Sequence, residues 1–131
     1  MRTVQTSEIT KNIREMCIEA NHFLSDDMKK VFNESVEKEE SPLGKQILNQ
    51  LKENLEIAGR DMIPICQDTG MAVVFIKVGQ EVHIEGGNLT DAINEGVRQG
   101  YTEGYLRKSV VGDPIIRENT KDNTPAVIHY S

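Results

Sequence analysis

The hydrophobic positions of the first sixty residues recur at helical spacing and predict three helices. The apolar face of the first helix consists of Ile9, Ile13, Met16, Cys17 and Ala20. Ser25 is a candidate N-cap for the second helix, and Ser41, followed by Pro42, is one for the third. The apolar stripe of the third helix stops near Gly59, a residue type common just after a helix. Residues 1–60 are therefore predicted to be helical.

Beyond Gly59 the pattern is that of strands. Residues 71–78 read MAVVFIKV, a sequence typical of a strand that is buried on both faces or nearly so. Residues 81–84 alternate as a second strand would, and another strand begins at Pro125. We expect residues 71–78 to lie at the centre of a small sheet, with residues 81–84 beside them.

One more helix and a long loop separate these strands. Asn88 or Thr90 caps the helix, and residues 109–125 are polar and predict a loop. The chain is therefore predicted to form an α/β (α+β) domain over residues 1–131. In that domain an N-terminal helical segment precedes a small β-sheet packed against helices, and residues 61–131 form the strand–helix–loop portion.

Small residues recur every four positions in this fourth helix, at Ala92, Gly96, Gly100 and Gly104. A glycine inside a helix costs about 1 kcal/mol relative to alanine, so three of them need a reason. Close approach of another backbone is the first explanation. The alternative is that the helix ends at Gly100.

Composition narrows the class of protein. The chain has 15 basic and 21 acidic residues, a net charge of -6, which argues against a nucleic-acid partner. Its longest apolar run, residues 71–76, is too short to span a membrane, and its N-terminus lacks the apolar stretch of a secretory signal. With two cysteines and no disulfide framework, we expect a cytoplasmic protein whose thiols are available to metals.

The densest group of chemically useful side chains lies in residues 63–70, which read IPICQDTG. Cys66 offers a thiolate that suits iron, and Gln67 and Asp68 add amide donors and a proton acceptor. Gly70 would allow a turn that places these side chains on one rim. From chemistry alone, an inert buried cysteine is the better interpretation of Cys66, because such cysteines are common.

Two other residues have a simple structural explanation when they are taken alone. Cys17 lies on the apolar face of the first helix and is best interpreted as a small core residue. Arg107 follows the fourth helix, where its charge offsets the helix dipole. A guanidinium at that position could also clamp a carboxylate bidentately.

Taken together, three segments resemble the class I fumarase family, which includes the related tartrate dehydratases. They are IPICQDTG at 63–70, LRKSVV at 106–111 and NTKDNTPA at 119–126. The resemblance is to the α subunit or N-terminal domain, and it is strongest from about residue 60 to residue 131. Three motifs in the right order make it specific, and they favour a ligand role for Cys66.

The resemblance implies a hydro-lyase with a [4Fe-4S] cluster held by three cysteines, in which an open iron acts as a Lewis acid on a small dicarboxylate substrate. Residue by residue, Cys66 resembles the first cluster ligand. Gln67 and Asp68 look like substrate-contacting residues, with Asp68 a catalytic candidate for proton handling, and Arg107 looks like a carboxylate clamp. The polar residues of 119–126 match the family's third motif and receive no catalytic role.

The chain also departs from the family pattern, because two further cluster cysteines are missing. We therefore expect an N-terminal fragment or incomplete α subunit that is inactive alone. It would be completed by a β subunit or C-terminal domain of the same enzyme, and its open strand would favour a homo-oligomer. The competing hypothesis is a non-catalytic interaction module, which has no need to combine Cys66, Gln67, Asp68 and Arg107.

Overall fold

The structure, a computed structural model, describes all 131 residues. Its helices and strands follow in the order β1 (Arg2–Gln5), α1 (Thr6–His22), α2 (Asp26–Lys38), α3 (Pro42–Asp61), β2 (Val73–Ile76), β3 (Val82–Glu85), α4 (Leu89–Glu103) and β4 (Val127–Tyr130). The predicted α+β class and the N-terminal helical segment are confirmed. No helix combines the length and the apolar character needed to cross a membrane.

The chain divides into two compact units. One comprises Met1–Ile18 and Gln67–Ser131, and the other comprises Glu19–Cys66. The first unit contains all four strands, α4 and most of α1, and its core is formed by Ile13, Ile93, Val97, Tyr101 and Leu106.

The strand pairing differs from the expectation. β2 pairs in parallel with β4, and β3 pairs in parallel with β1, so there are two two-stranded sheets. The expectation that residues 81–84 lie beside residues 71–78 in one sheet was therefore wrong. Their short connection would suit an antiparallel hairpin, but both strands find parallel partners that are distant in the sequence. The predictions also missed β1, which is only four residues long and lies at the start of the chain.

β2 is also shorter and less buried than its sequence suggested. Val74 and Ile76 pack against the core, whereas Val73 and Phe75 on the other face are 49% and 79% exposed. The Phe75 ring stacks on His129 of β4, with ring centroids 4.8 Å apart. The prediction of burial on both faces was wrong, because an unbroken apolar run does not reveal which face packs.

The glycine face of α4 packs tightly against α1, as the close-approach explanation predicted. A Cβ added at Gly96 would lie 2.7 Å from the Thr10 carbonyl oxygen, and one at Gly100 would lie 2.9 Å from the Arg14 carbonyl oxygen. The helix continues to Glu103, so the alternative that it ends at Gly100 is wrong. We call this contact of α1 with α4 the glycine seam.

In the unit Glu19–Cys66, α2 packs against α3. Both helices begin as predicted: Ser25 and Ser41 are the N-caps, and the Ser41 side chain accepts a hydrogen bond from the Gly44 N–H. α3 runs two residues past Gly59 and ends where Met62 adopts a left-handed conformation. Its apolar stripe is only partly covered, because Leu43, Ile47 and Leu51 remain exposed.

Candidate functional site

Cys66 follows a segment that is fixed at the end of the unit Glu19–Cys66. The Ile65 N–H donates to the Asn21 carbonyl at 2.8 Å, and the Ile65 carbonyl accepts from the Asn54 amide at 2.9 Å. Cys66 itself is exposed and forms no disulfide. The Ile65 backbone is thus held at both its N–H and its carbonyl. The thiol of the next residue, Cys66, is accessible to a metal or a reagent.

Gln67 and Arg107 are brought together although 40 residues separate them. The Arg107 guanidinium donates to the Gln67 carbonyl at 2.8 Å, and the Gln67 side-chain amide donates to the Tyr105 carbonyl at 3.3 Å. Two hydrogen bonds of opposite direction therefore connect the first motif to the segment after α4. Arg107 has further N–H groups beyond the one used here, and its side chain is exposed.

This contact changes the interpretation of Arg107. The helix-end explanation would place its charge near the last carbonyls of α4, which ends at Glu103. Its guanidinium instead bonds the backbone of the IPICQDTG motif. The Arg107 side chain is therefore positioned at the backbone of Gln67 rather than at the end of α4.

Asp68, Thr69 and Gly70 complete this exposed segment. Gly70 does not have a positive φ, and a Cβ added there would meet nothing within 4 Å. The turn that Gly70 would allow therefore does not use the conformational freedom of glycine. The following residues enter β2, whose Val74 and Ile76 anchor the segment to the core.

The long loop between α4 and β4 is ordered by side-chain hydrogen bonds. Val111 and Asn119 form an isolated antiparallel bridge, and the Asn119 amide donates to the Lys108 carbonyl at 2.9 Å. At the tip, the Asp113 carboxylate accepts from the N–H groups of Ile115 and Ile116, which lowers its pKa. The predicted loop is confirmed, but it has a definite internal structure.

Asn123, inside the third motif, is completely buried. Its Oδ1 accepts from the Ser109 N–H at 2.6 Å and from the Val110 N–H at 3.0 Å, and its Nδ2 donates to the Gly70 carbonyl at 3.3 Å. Nearby, the Ser109 hydroxyl is buried without a hydrogen-bond partner. The sequence had given no role to either residue, since a polar loop does not reveal which of its side chains turns inward.

Cys17 is unsuited to act as a second metal ligand here. It is half-buried and packs against the core of the first unit. Burial raises the pKa of its thiol to about 11, so the thiol stays protonated at neutral pH. This agrees with its interpretation as a small core residue.

A cleft of about 700 Å³ lies elsewhere in the first unit, at the N-terminal turns of α1 and α4. Its lining includes Lys11 and Arg14 but also Asp91 and Glu95. The opposite charges leave no clear preference for an anion or a cation, and none of the motif residues lines it. The motif segments therefore remain the best candidate site.

The chain matches the fumarate hydratase (Fumerase) family over residues 10–131. It is 37% identical over 117 residues to a Methanocaldococcus jannaschii protein named "Putative L(+)-tartrate dehydratase subunit alpha", and the match covers 88% of this chain and 41% of that protein. It is 38% identical over 92 residues to the anaerobic class I fumarate hydratase of Escherichia coli, covering 69% of this chain and 17% of the relative. The mitochondrial fumarate hydratase 1 of Leishmania major is 30% identical over 116 residues, with 87% and 20% covered. The chain thus spans less than half the length of each of these relatives.

Proposed function

Because the chain belongs to the fumarate hydratase (Fumerase) family, we propose that it contributes site residues to a [4Fe-4S]-dependent hydro-lyase. The reaction is the reversible hydration of fumarate to malate, or the dehydration of tartrate. The names of the relatives support both substrates. Each is a dicarboxylate, so one arrangement of carboxylate-binding groups serves either.

The hydrogen bond from Arg107 to the Gln67 carbonyl is the observation that carries this proposal. It holds the Arg107 guanidinium against the backbone of Gln67, and both residues are exposed. A planar guanidinium can donate two parallel hydrogen bonds to a carboxylate, and a neighbouring amide can donate a third. We assign Arg107 and Gln67 to the binding and orientation of one substrate carboxylate.

Asp68 follows Gln67 directly and is exposed. A carboxylate side chain can accept a proton and, once protonated, can donate it, so Asp68 suits the group that receives a proton when water is eliminated and returns it when water is added. We assign it that role, in addition to a contact with the substrate.

The residues of this chain do not fit a complete iron–sulfur cluster. Clusters of this type are held by several thiolates. Cys66 offers one exposed thiol, burial raises the pKa of the Cys17 thiol to about 11, and no group of three or more His, Cys, Asp or Glu side chains is placed to hold a metal ion. We propose that Cys66 is one ligand and that the other ligands come from outside these 131 residues.

The partner that completes the site is, in this proposal, the β subunit or C-terminal domain of the same enzyme. The subunit name of the archaeal relative supports a two-part assembly. Such a partner would supply further substrate contacts and close the exposed edge that carries Gln67, Asp68 and Arg107.

The test is the Arg107→Lys substitution in the complete enzyme that carries this chain. Lysine keeps the charge but loses the planar fork, so kcat/KM for fumarate or tartrate should fall by about tenfold or more. Circular dichroism should show unchanged folding, because Arg107 is exposed.

Unchanged kinetics in that variant would contradict the carboxylate-binding role of Arg107. If the unsubstituted enzyme turned over neither dicarboxylate, the hydro-lyase proposal itself would fail. The competing explanation, a docking module without catalysis, would then be favoured.

A further inference from the structure

Asn123 is unusual because a fully buried asparagine must satisfy four hydrogen-bonding positions. Two are the acceptor positions of Oδ1, filled by the Ser109 and Val110 N–H groups, and a third is the Nδ2 hydrogen donated to the Gly70 carbonyl. Three of these four positions are therefore filled by backbone groups of the chain.

The three segments that meet at this carboxamide are the three motifs. Gly70 closes the first, Ser109 and Val110 belong to the second, and Asn123 itself belongs to the third. Gly70 lies three residues after Gln67, and Ser109 lies two residues after Arg107. The buried Asn123 carboxamide thus fixes the backbone close to both Gln67 and Arg107.

We propose that Asn123 is the positioning residue of the candidate site, which holds Gln67 and Arg107 at the spacing that a substrate carboxylate needs. The proposal rests on the assignment of those two residues to substrate binding. Asn123 acts through the backbone at Gly70, Ser109 and Val110 and does not touch the substrate. Its left-handed backbone, with φ of 62°, suits this role, because asparagine adopts that conformation more readily than most residues.

The first test uses the 131-residue chain and needs no enzymatic activity. Asn123→Gly removes the carboxamide but tolerates the positive φ. Amide hydrogen exchange at Ser109 and Val110 should become faster by about tenfold or more, because both N–H groups lose their buried acceptor. Exchange at Val97, inside α4, should stay within about twofold of its original rate.

Lys121→Gly is the matched control. Lys121 lies on the same loop with a similar φ of 68°, but it is exposed, and its N–H bonds Asn119. This variant introduces the same glycine flexibility and should leave exchange at Ser109 and Val110 unchanged. Equal acceleration in both variants, or parallel acceleration at Val97, would overturn the positioning role, since either result indicates general loosening.

The second test uses the complete enzyme, with fumarate and L(+)-tartrate each as the probe. A lower amount of folded enzyme would reduce the apparent kcat and leave KM unchanged. Misplacement of Gln67 and Arg107 should instead raise KM by about tenfold, because a binding contact is weakened. An unchanged KM for Asn123→Gly would overturn the proposal.

The two tests separate this inference from the proposed function. If the unsubstituted enzyme turns over neither dicarboxylate, the proposed function fails. The claim that Asn123 positions Gln67 for substrate binding then fails as well. Hydrogen exchange would still decide whether the carboxamide joins the three segments. Faster exchange together with a raised KM supports the whole inference.

Discussion

The glycine seam and the three motif segments (63–70, 106–111 and 119–126), which we call the motif loops, are stabilised in opposite ways. In the seam, α4 lies so close to α1 that a methyl group at Gly96 or Gly100 would collide with backbone carbonyls. In the loops, the segments of the three motifs are exposed for much of their length and are joined by side-chain hydrogen bonds, such as those of Asn123. One region is placed by packing and the other by directed polar contacts.

The difference explains where chemistry can occur in this molecule. Tight packing excludes water and raises the pKa of the Cys17 thiol, which makes that cysteine inert. Loops held through their backbones leave the side chains of Cys66, Asp68 and Arg107 exposed for ligands. One cysteine, one glycine and one carboxylate with a lowered pKa can therefore be chosen from each region, and each pair can be compared by substitution.

The largest effect is expected for the cysteine pair in the complete enzyme. Cys66→Ser should abolish stable binding of the cluster, with loss of about four irons and of its visible absorbance after anaerobic reconstitution, because a protein thiolate is removed. Cys17→Ala is the control and should retain the iron content per folded protein, since that thiol lies in the seam. Iron analysis after desalting gives the measurement.

Two results would break this part of the comparison. If Cys66→Ser kept its full iron content, Cys66 would not be a cluster ligand. If the 131-residue chain alone retained about four irons per monomer, the argument that further ligands lie outside it would be wrong.

The sequence predicted the packing of the glycine seam better than it predicted the contacts among the three motifs. The helical spacing of Ala92, Gly96 and Gly100 predicted the seam, because repeated small residues on one face have few explanations other than close packing. The motif residues were found through a family resemblance, but their arrangement was not. No periodicity could indicate that Asn123 bonds Gly70, 53 residues earlier, or that Gln67 bonds the Tyr105 carbonyl.

The strands show the same limit. Their existence was predicted for β2, β3 and β4, since short apolar or alternating runs are visible in the sequence. Their partners were not, because the residues that pair in β2 and β4 are 54 positions apart, as in Val73 with Val127. Parallel pairing over such a distance is decided by packing on α4, which the sequence pattern alone does not specify.

A smaller effect is expected for the glycine pair. Gly96→Ala should destabilise the chain by about 2 kcal/mol, because the new methyl meets the Thr10 carbonyl and the Ile13 Cβ at 2.7 Å, and helix propensity returns only about 1 kcal/mol of the cost. Gly70→Ala should change the free energy of unfolding by less than about 0.5 kcal/mol, since nothing lies near the added methyl. Urea unfolding of both variants is the measurement, and equal effects would show that the seam is not packed as described.

The smallest effect is expected for the carboxylates Glu95 on α4 and Asp113 in the loop. Hydrogen bonds from Arg98 and Gln99 lower the pKa of Glu95 from 4.5 to about 2, and backbone N–H groups of Ile116 and Ile115 lower the pKa of Asp113. A depressed carboxyl pKa contributes stability that is fully present above the unfolded pKa and is lost as the pH falls through the folded one. Because the Glu95 and Arg98 side chains are 41% and 47% exposed, Glu95→Gln should cost at most about 0.5 kcal/mol at neutral pH.

The pH dependence distinguishes these two carboxylates from each other. The gap in unfolding free energy between the unsubstituted chain and Glu95→Gln should shrink steadily as the pH falls from 4.5 toward about 2. Asp113→Asn should act locally, on amide exchange at Ile115 and Ile116. Above the ordinary aspartate pKa, exchange at these two residues should be faster in the variant than in the unsubstituted chain. In acid the two rates should converge, because the protonated carboxyl accepts these hydrogen bonds more weakly. NMR titration of both carboxyl groups supplies the direct check. A difference between the unsubstituted chain and Glu95→Gln that stayed constant over this range would mean that Arg98 and Gln99 do not hold the Glu95 carboxylate in solution.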